Sequence, residues 1–345
     1  MEIPQKDVIV GEQWLILSKI GEGSFGEVFK AQDVELGGFY AVKREALDLE
    51  HPQLHHEKFV YDLVAGGPCI PKCHWYGQHD GFDCIVIDLL GKSLKQMQAD
   101  ETPTLARVID IGCQLIACLE HIHDKGMVYR DIKPENFLYN TQATSLYVVD
   151  FGLATWWRNP KTKRAYPESK KPIKFKTGTA RYASLNVHRG RTHSRRDDME
   201  SLAYVLLDLL LAGNLPWSGI KARSCKVGWD RLQSVKESLS AGDLCVGLPV
   251  GIQHFIEYTR NLRFMDRPDY RYLASLLIGS NLRGPYSKLV TRKKKDVFLM
   301  DSLLKELPIV NTTTTDSFSY RNKSSASSNH RTYYKRYYAW NTSHT

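Results

Sequence analysis

Four polar side chains between positions 131 and 150 carry the clearest chemistry of this chain of 345 residues. Asp131, Lys133 and Asn136 lie in Tyr129-Arg-Asp-Ile-Lys-Pro-Glu-Asn136-Phe137, and Asp150 opens Asp150-Phe-Gly152. Transfer of a phosphoryl group needs a carboxylate to orient an incoming hydroxyl and accept its proton. It also needs a cation beside the transferring group and hard oxygen ligands for Mg²⁺. Asp131 offers the first, Lys133 the second, and Asn136 with Asp150 the third. Any one of these residues could belong to an ordinary polar loop, but the ordered set reads as chemistry.

Two upstream features fit the same reaction. Gly21-Glu-Gly-Ser-Phe-Gly26-Glu-Val28 lies between strand-like runs, where glycines let backbone amides close over phosphates. A dinucleotide-binding loop would open into a helix, whereas Glu27 to Ala31 reads as continuing strand. Tyr40-Ala-Val-Lys43 then places a lysine in an apolar strand, and Glu57, fourteen residues on, is its candidate helix partner.

The elements that must hold these residues follow from periodicity and punctuation. Trp14 to Ile20, Val28 to Ala31 and Phe39 to Arg44 are short runs rich in Val, Ile and aromatics. Leu54 to Val64 has helical spacing and stops at Gly66-Gly67-Pro68. Two further strands bracket a turn at Asp80-Gly81, the second running from Cys84 to Leu90. Beyond Gly91 helices dominate, at Leu105 to Lys125, Arg196 to Ala212, Val250 to Asn261 and Tyr270 to Ile278. The fold class is α+β, a small sheet with one helix followed by a larger helical part.

Composition bounds the function classes. Hydrophobic content of 42% and charged content of 25% suit a folded, soluble protein. No apolar run reaches the ~20 residues of a membrane span, and Leu202 to Leu211, broken by Asp208, reads as a core helix. Met1 to Asp7 lacks the apolar region of a signal peptide, Glu2 stands where myristoylation needs glycine, and the last five residues hold no prenylation cysteine. Seven cysteines form no zinc-type pairs, and the odd count suits a reducing compartment, cytoplasm or nucleus. Of the net charge of +9, the residues from Tyr286 onward carry +7, eleven Lys or Arg against four Asp or Glu. Basicity thus concentrates in a tail, and no nucleic-acid partner is expected for the folded part. That tail, 284–345, includes the cluster Arg292 to Lys295 and is expected to be disordered from about Asn311, where Ser and Thr accumulate.

In order and spacing, the Gly-rich loop, Ala-Val-Lys43, Tyr-Arg-Asp131 to Asn136-Phe and Asp150-Phe-Gly resemble the eukaryotic protein kinase set. Finer stretches resemble the casein kinase 1 family. They include His51-Pro-Gln-Leu-His-His-Glu57, Gly66 to Pro71, Leu89-Leu-Gly-Lys-Ser-Leu94, Thr177-Gly-Thr-Ala-Arg-Tyr-Ala-Ser184, Ser194 to Leu202, Leu215-Pro-Trp217 and Arg267-Pro-Asp-Tyr270. Ser184-Leu-Asn186 stands where most protein kinases carry Ala-Pro-Glu, a replacement typical of that family. The likeness covers roughly residues 10 to 283.

The resemblance implies a bilobal protein kinase domain over 10–283, with the smaller lobe at about 10–88 and the larger at about 91–283. It implies ATP and Mg²⁺ as cofactors and protein hydroxyls as acceptors. Catalysis falls to Asp131 and Lys133, and Mg²⁺ to Asn136 and Asp150. The nucleotide would meet Ile20, Gly21, Glu22, Gly23, Ser24, Phe25, Gly26 and Val28 of the loop, then Ala41, Lys43 and Glu57. Ile87 would form the back of the adenine pocket, with Asp88 to Leu90 as hinge. Asp198 would start a buried helix and accept hydrogen bonds from the catalytic-loop backbone. The family favours acidic or already phosphorylated substrates, which Lys174, Arg181 and the backbone at Gly219 would hold. At Gly228 the family commonly has another lysine, so either Lys226 and Arg223 compensate or primed-substrate preference weakens. Members are often active without activation-loop phosphorylation, and Arg130 could still receive an anion. The chain is expected to act as a monomer. A catalytically silent scaffold of the same fold is the alternative, and a nucleic-acid binder is the third class.

Overall fold

The computed structural model describes residues 8–23, 26–174 and 176–281. Ser24 and Phe25 of the Gly-rich loop, the basic cluster at 292–295 and the Ser/Thr-rich tail lie outside the described residues. Within these, the described residues up to 48 and from 52 onward form one compact main unit.

The amino-terminal part of the main unit is an antiparallel sheet built from β1 (Ile9–Val10), β2 (Trp14–Gly23), β3 (Gly26–Asp33), β4 (Phe39–Ala46), β5 (Cys73–His79) and β6 (Phe82–Asp88). Its strand order is β1-β2-β3-β4-β6-β5. Val10, Trp14, Ala31, Val42, Cys84 and Val86 form one packed cluster, with the Trp14 and Trp75 rings 5.4 Å apart. Helix α1 (Leu54–Val64) buries Leu54, Val60, Tyr61 and Val64, the stripe its i, i+3, i+4 spacing dictates.

The start of α1 is held from a strand. Its N-cap residue, Gln53, makes no side-chain cap of its own. Instead Glu45 of β4 accepts hydrogen bonds from the Gln53 and Leu54 amides at 2.6 and 2.7 Å, satisfying two donors that a helix start leaves open. Burial outweighs those bonds and raises the Glu45 carboxyl from 4.5 to about 7, with Lys43 opposing and Glu57 assisting the rise. The folded chain therefore binds this proton more tightly than the unfolded chain. Stability from this group is complete below pH 4.5 and is lost as pH rises to about 7. A decline of up to about 3 kcal/mol in unfolding free energy is expected over that window. Denaturant titrations at stepped pH should show it flattened in Glu45→Gln, and an equally steep decline in that variant would refute the assignment.

The second part is helical. The described elements are α2 (Leu94–Asp100), α3 (Leu105–Asp124), α4 (Leu185–His188), α5 (Arg195–Leu210), α6 (Cys225–Ser238), α7 (Ala241–Leu244), α8 (Val250–Asn261) and α9 (Tyr270–Asn281). Short pairs β7 (Met127–Val128) with β10 (Thr155–Trp156), and β8 (Phe137–Tyr139) with β9 (Leu146–Val148), shape the loops between α3 and α4. The centre is α5, whose residues Arg195 to Leu209 are all buried, polar ones included. A helix buried all round must pair its charges internally, and those pairings reach directly into the site. Among the described residues no helix is long and apolar enough to cross a membrane, and all seven cysteines are free thiols.

Candidate active site

Sheet register assembles the first half of the site. Val28 lies opposite Lys43, Ala41 opposite Ile87, and Lys43 opposite Ile85. Because strand side chains alternate, these residues share one face, an apolar floor from which Lys43 rises. Ala41 and Ile87 are buried, while Ile20 is half exposed at the rim. Gly21, Glu22 and Gly23 pair with Val28, Glu27 and Gly26 in the β2–β3 hairpin, and the Glu22 carboxylate is taken by Lys19 at 2.8 Å. Asp88, the expected hinge residue, turns its carboxylate to His74 and the Lys72 amide, at 2.8 and 2.7 Å, and its own amide donates to the Lys72 carbonyl at 3.1 Å. Leu90 is half-buried beside it, and the Gly91 amide then bonds Tyr139 at 2.7 Å, tying the crossover to β8.

Lys43 Nζ lies 2.5 Å from Glu57 Oε2 and 3.3 Å from Asp150 Oδ1. Burial alone would lower its pKa, but the Asp150 and Glu57 charges outweigh burial and raise it, so the ammonium stays charged. Asp150 is likewise pushed up by burial and brought below the ordinary carboxylate range by Lys43 and Lys133. This lysine and two carboxylates come from a strand, a helix and a loop, 107 residues apart at the widest.

The second half is the loop after β7. Lys133 Nζ donates to Asp131 Oδ2 at 2.6 Å, Thr179 Oγ1 donates to Oδ1 at 2.9 Å, and Asn136 Nδ2 reaches both the Asp131 carbonyl and Oδ2. Arg130 and Asp150 adopt φ of +72° and +65°, left-handed conformations that cost non-glycine residues about 1–3 kcal/mol. Something must hold them. Asp198 of α5, fully buried, accepts from the Tyr129 and Arg130 amides at 2.7 and 2.9 Å and also from His123 and His193, each at 3.0 Å. Burial would raise the Asp198 carboxyl, but the His123 and His193 imidazoles hold it far below the usual carboxylate range.

A family model for the protein kinase domain matches residues 14–245, about two thirds of the chain. The chain belongs to that family. Its fold, an antiparallel sheet followed by a mainly helical region, is the protein kinase fold.

Within this kinase domain the residues present fit nucleotide and magnesium. The apolar sheet face suits a base, and Lys43 suits phosphate oxygens. Mg²⁺ keeps several waters and phosphate oxygens, so one carboxylate and one carboxamide suffice. Asn136 spends its amide hydrogens on Asp131, leaving its oxygen for a metal, and the Val149 amide bonds the Asn136 carbonyl at 3.0 Å beside Asp150. Among the described residues no cluster of three or more His, Cys, Asp or Glu competes for that role.

The segment from Thr177 to Ser184 is held from α5 and α6. Thr177 to Ser184 crosses the catalytic loop at Gly178, φ +84°, where any Cβ would collide with the Arg130 carbonyl. Lys236 of α6, fully buried, donates to the Ala183 and Ala180 carbonyls at 2.7 and 3.1 Å and lies over the Tyr204 and Trp217 rings. Burial holds its pKa well below the ordinary lysine range. Lys236→Met is expected to raise the peptide KM about tenfold with little change in the nucleotide KM. Equal changes in both constants would show a purely global role.

The three positions assigned to substrate anions differ in state. Lys174 is exposed, and Gly219, φ +75°, has open space around it. Arg181 is ion-paired: Nη2 lies 2.7 Å from Asp208 Oδ1 and 2.6 Å from the Gly213 carbonyl. Arg130 gives its Nε to the Leu153 carbonyl at 2.7 Å. Sequence reasoning missed Glu45, Thr179, Asp208 and Lys236. Thr179 carried a signal, because it sits inside the Thr177-Gly-Thr motif, and so did Asp208, a lone carboxylate in the apolar run Leu202 to Leu211.

Proposed function

We propose that the chain is an ATP-dependent Ser/Thr protein kinase of casein kinase 1 type, acting on hydroxyls near acidic or phosphorylated residues. The observation that carries this reading is the convergence of Lys43, Glu57 and Asp150 with the Asp131–Lys133 pair on one fold. Silent relatives of a catalytic fold commonly lack part of such a set. Bound Mg²⁺, held by Asn136 and Asp150, would supply charge neutralisation of the phosphates. Lys43, kept charged and aimed by Glu57, binds nucleotide phosphate oxygens. Asp131 orients the acceptor hydroxyl and takes its proton, and Lys133 offsets negative charge on the transferring group. Seven free thiols suit cytoplasm or nucleus.

Acidic preference is supported by charge on the segment leading to the site. Lys161, Lys163, Arg164, Lys170, Lys171 and Lys174 are all exposed there. Incubation with γ-labelled ATP and Mg²⁺ should label Ser and Thr of an acidic protein. Acidic peptides should exceed neutral ones at least tenfold in kcat/KM, by summed weak charge attraction. Equal values would refute the substrate class, and absence of transfer would refute the activity.

A further inference from the structure

Arg181 stands two residues beyond Thr179, whose hydroxyl touches Asp131, so its guanidinium borders the place where an acceptor peptide must lie. A partly exposed arginine there would attract a substrate phosphate. In this chain it is already occupied. Asp208, in the last turn of α5 and 0% exposed, takes Arg181 Nη2 on Oδ1 at 2.7 Å and the Tyr182 hydroxyl on Oδ2 at 2.9 Å. The same Nη2 also meets the Gly213 carbonyl, which Ser218 Oγ shares at 3.1 Å, and the Trp217 indole donates to the Arg181 carbonyl at 2.8 Å. Arginine and its loop are thus fixed by three residues, Asp208 in α5 and Gly213 and Trp217 in the turn after it.

We propose that Asp208 is a specificity-determining residue: it supplies from inside the protein the anion that Arg181 would otherwise take from a phosphorylated substrate, making recognition independent of priming. This deepens the kinase reading and rests on it for the position of the acceptor peptide. The energetic direction is set by burial. Swinging Arg181 out to a phosphate would leave the Asp208 carboxylate buried with one hydroxyl, and stranding a buried charge costs more than one phosphate contact returns. The exposed part of the guanidinium therefore belongs to a neutral pair. Discrimination passes to exposed lysines such as Lys174, which read charge but lack the planar fork that matches phosphate. The structure thereby favours one of the two alternatives that Gly228 leaves open, weakened preference for primed substrates.

The test is binding, so it does not require turnover. Fluorescent acidic peptides containing one serine acceptor, with phosphoserine or serine at each of five positions before it, are titrated with the full chain and with Asp208→Asn. The asparagine keeps shape and the Tyr182 contact while removing the charge. Wild type should bind each phosphorylated peptide within threefold of its unphosphorylated partner. Asp208→Asn should favour phosphopeptide about tenfold or more at one position at least, as expected for a charge-assisted bond. Arg181→Leu in that background should abolish the gain. Should Asp208→Asn fail to fold, the double variant Arg181→Leu/Asp208→Leu, free of both charges, should keep the wild-type ratio. A wild-type preference for phosphopeptide of tenfold or more, lost in Arg181→Leu, would overturn the proposal. So would an unchanged ratio in Asp208→Asn, or tighter binding of an arginine peptide to wild type than to Asp208→Asn, which would make Asp208 a site for substrate cations. A chain that transfers no phosphate in the labelling assay would refute the kinase reading and leave these binding ratios interpretable.

Discussion

Asp131→Asn is expected to lower kcat by about a thousandfold, within the range of two to four orders of magnitude that a positioned proton acceptor contributes. Asparagine can keep its oxygen toward Lys133, where a bond is now accepted at 2.6 Å, and its amide can donate to the Thr179 hydroxyl that now donates at 2.9 Å, so the loop should keep its shape. What disappears is the group that takes a hydroxyl proton. The nucleotide KM should stay within about threefold, because Lys43, Glu57 and Asp150 contact one another and not Asp131. Single-turnover measurements with excess enzyme isolate the chemical step from product release. A loss below about tenfold would remove Asp131 from the role proposed for it.

The largest stability effect is expected at Asp198. Its two oxygens serve four donors, the Tyr129 and Arg130 amides and the imidazoles of His123 and His193. Burial keeps His123 below the ordinary histidine range despite that carboxylate, and its other nitrogen meets the Tyr270 hydroxyl at 2.7 Å. Asp198→Ala would orphan all four donors in a closed interior. Losing one member of such a buried charged network costs about 3–5 kcal/mol, read as a lower urea midpoint with an unchanged slope. Activity should fall further than the folded fraction, because Arg130 at φ +72° would lose the acceptor holding its amide. A midpoint shift worth under about 1 kcal/mol would mean that the loop is held by other contacts.

Much of the fold was legible because it is written in local patterns. Leu54–Val64 and Val250–Asn261 coincide with their helical periodicity, and the strands of the sheet lie where Val, Ile and aromatics cluster. Other elements escaped for physical reasons. Helix α2 is only seven residues, signalled mainly by the reciprocal Ser93–Gln96 cap. Helix α6 buries only Trp229, Val235 and Lys236, so its sequence reads as polar loop. The two-residue strands β7 and β10 are too short to show any period. The site divides the same way. Asp131, Lys133 and Asn136 sit within one motif, so spacing could suggest their association. Asp208 meets Arg181 across 27 residues and Lys236 meets Ala183 across 53. Asp208 sits in an apolar run that reads as a core helix, which signals burial but not its partner, whereas Lys236 lies among polar residues that read as a solvated face.

The two contacts between β4 and α1 act jointly. Glu45 grips the first turn of the helix while Lys43, two residues earlier on the same strand, grips Glu57 inside it. A rod pinned at two points to one rail can slide with that rail but cannot swivel about either pin. A small molecule that needs the helix turned outward must break both buried attachments, so compounds that accept it as it stands should hold the advantage.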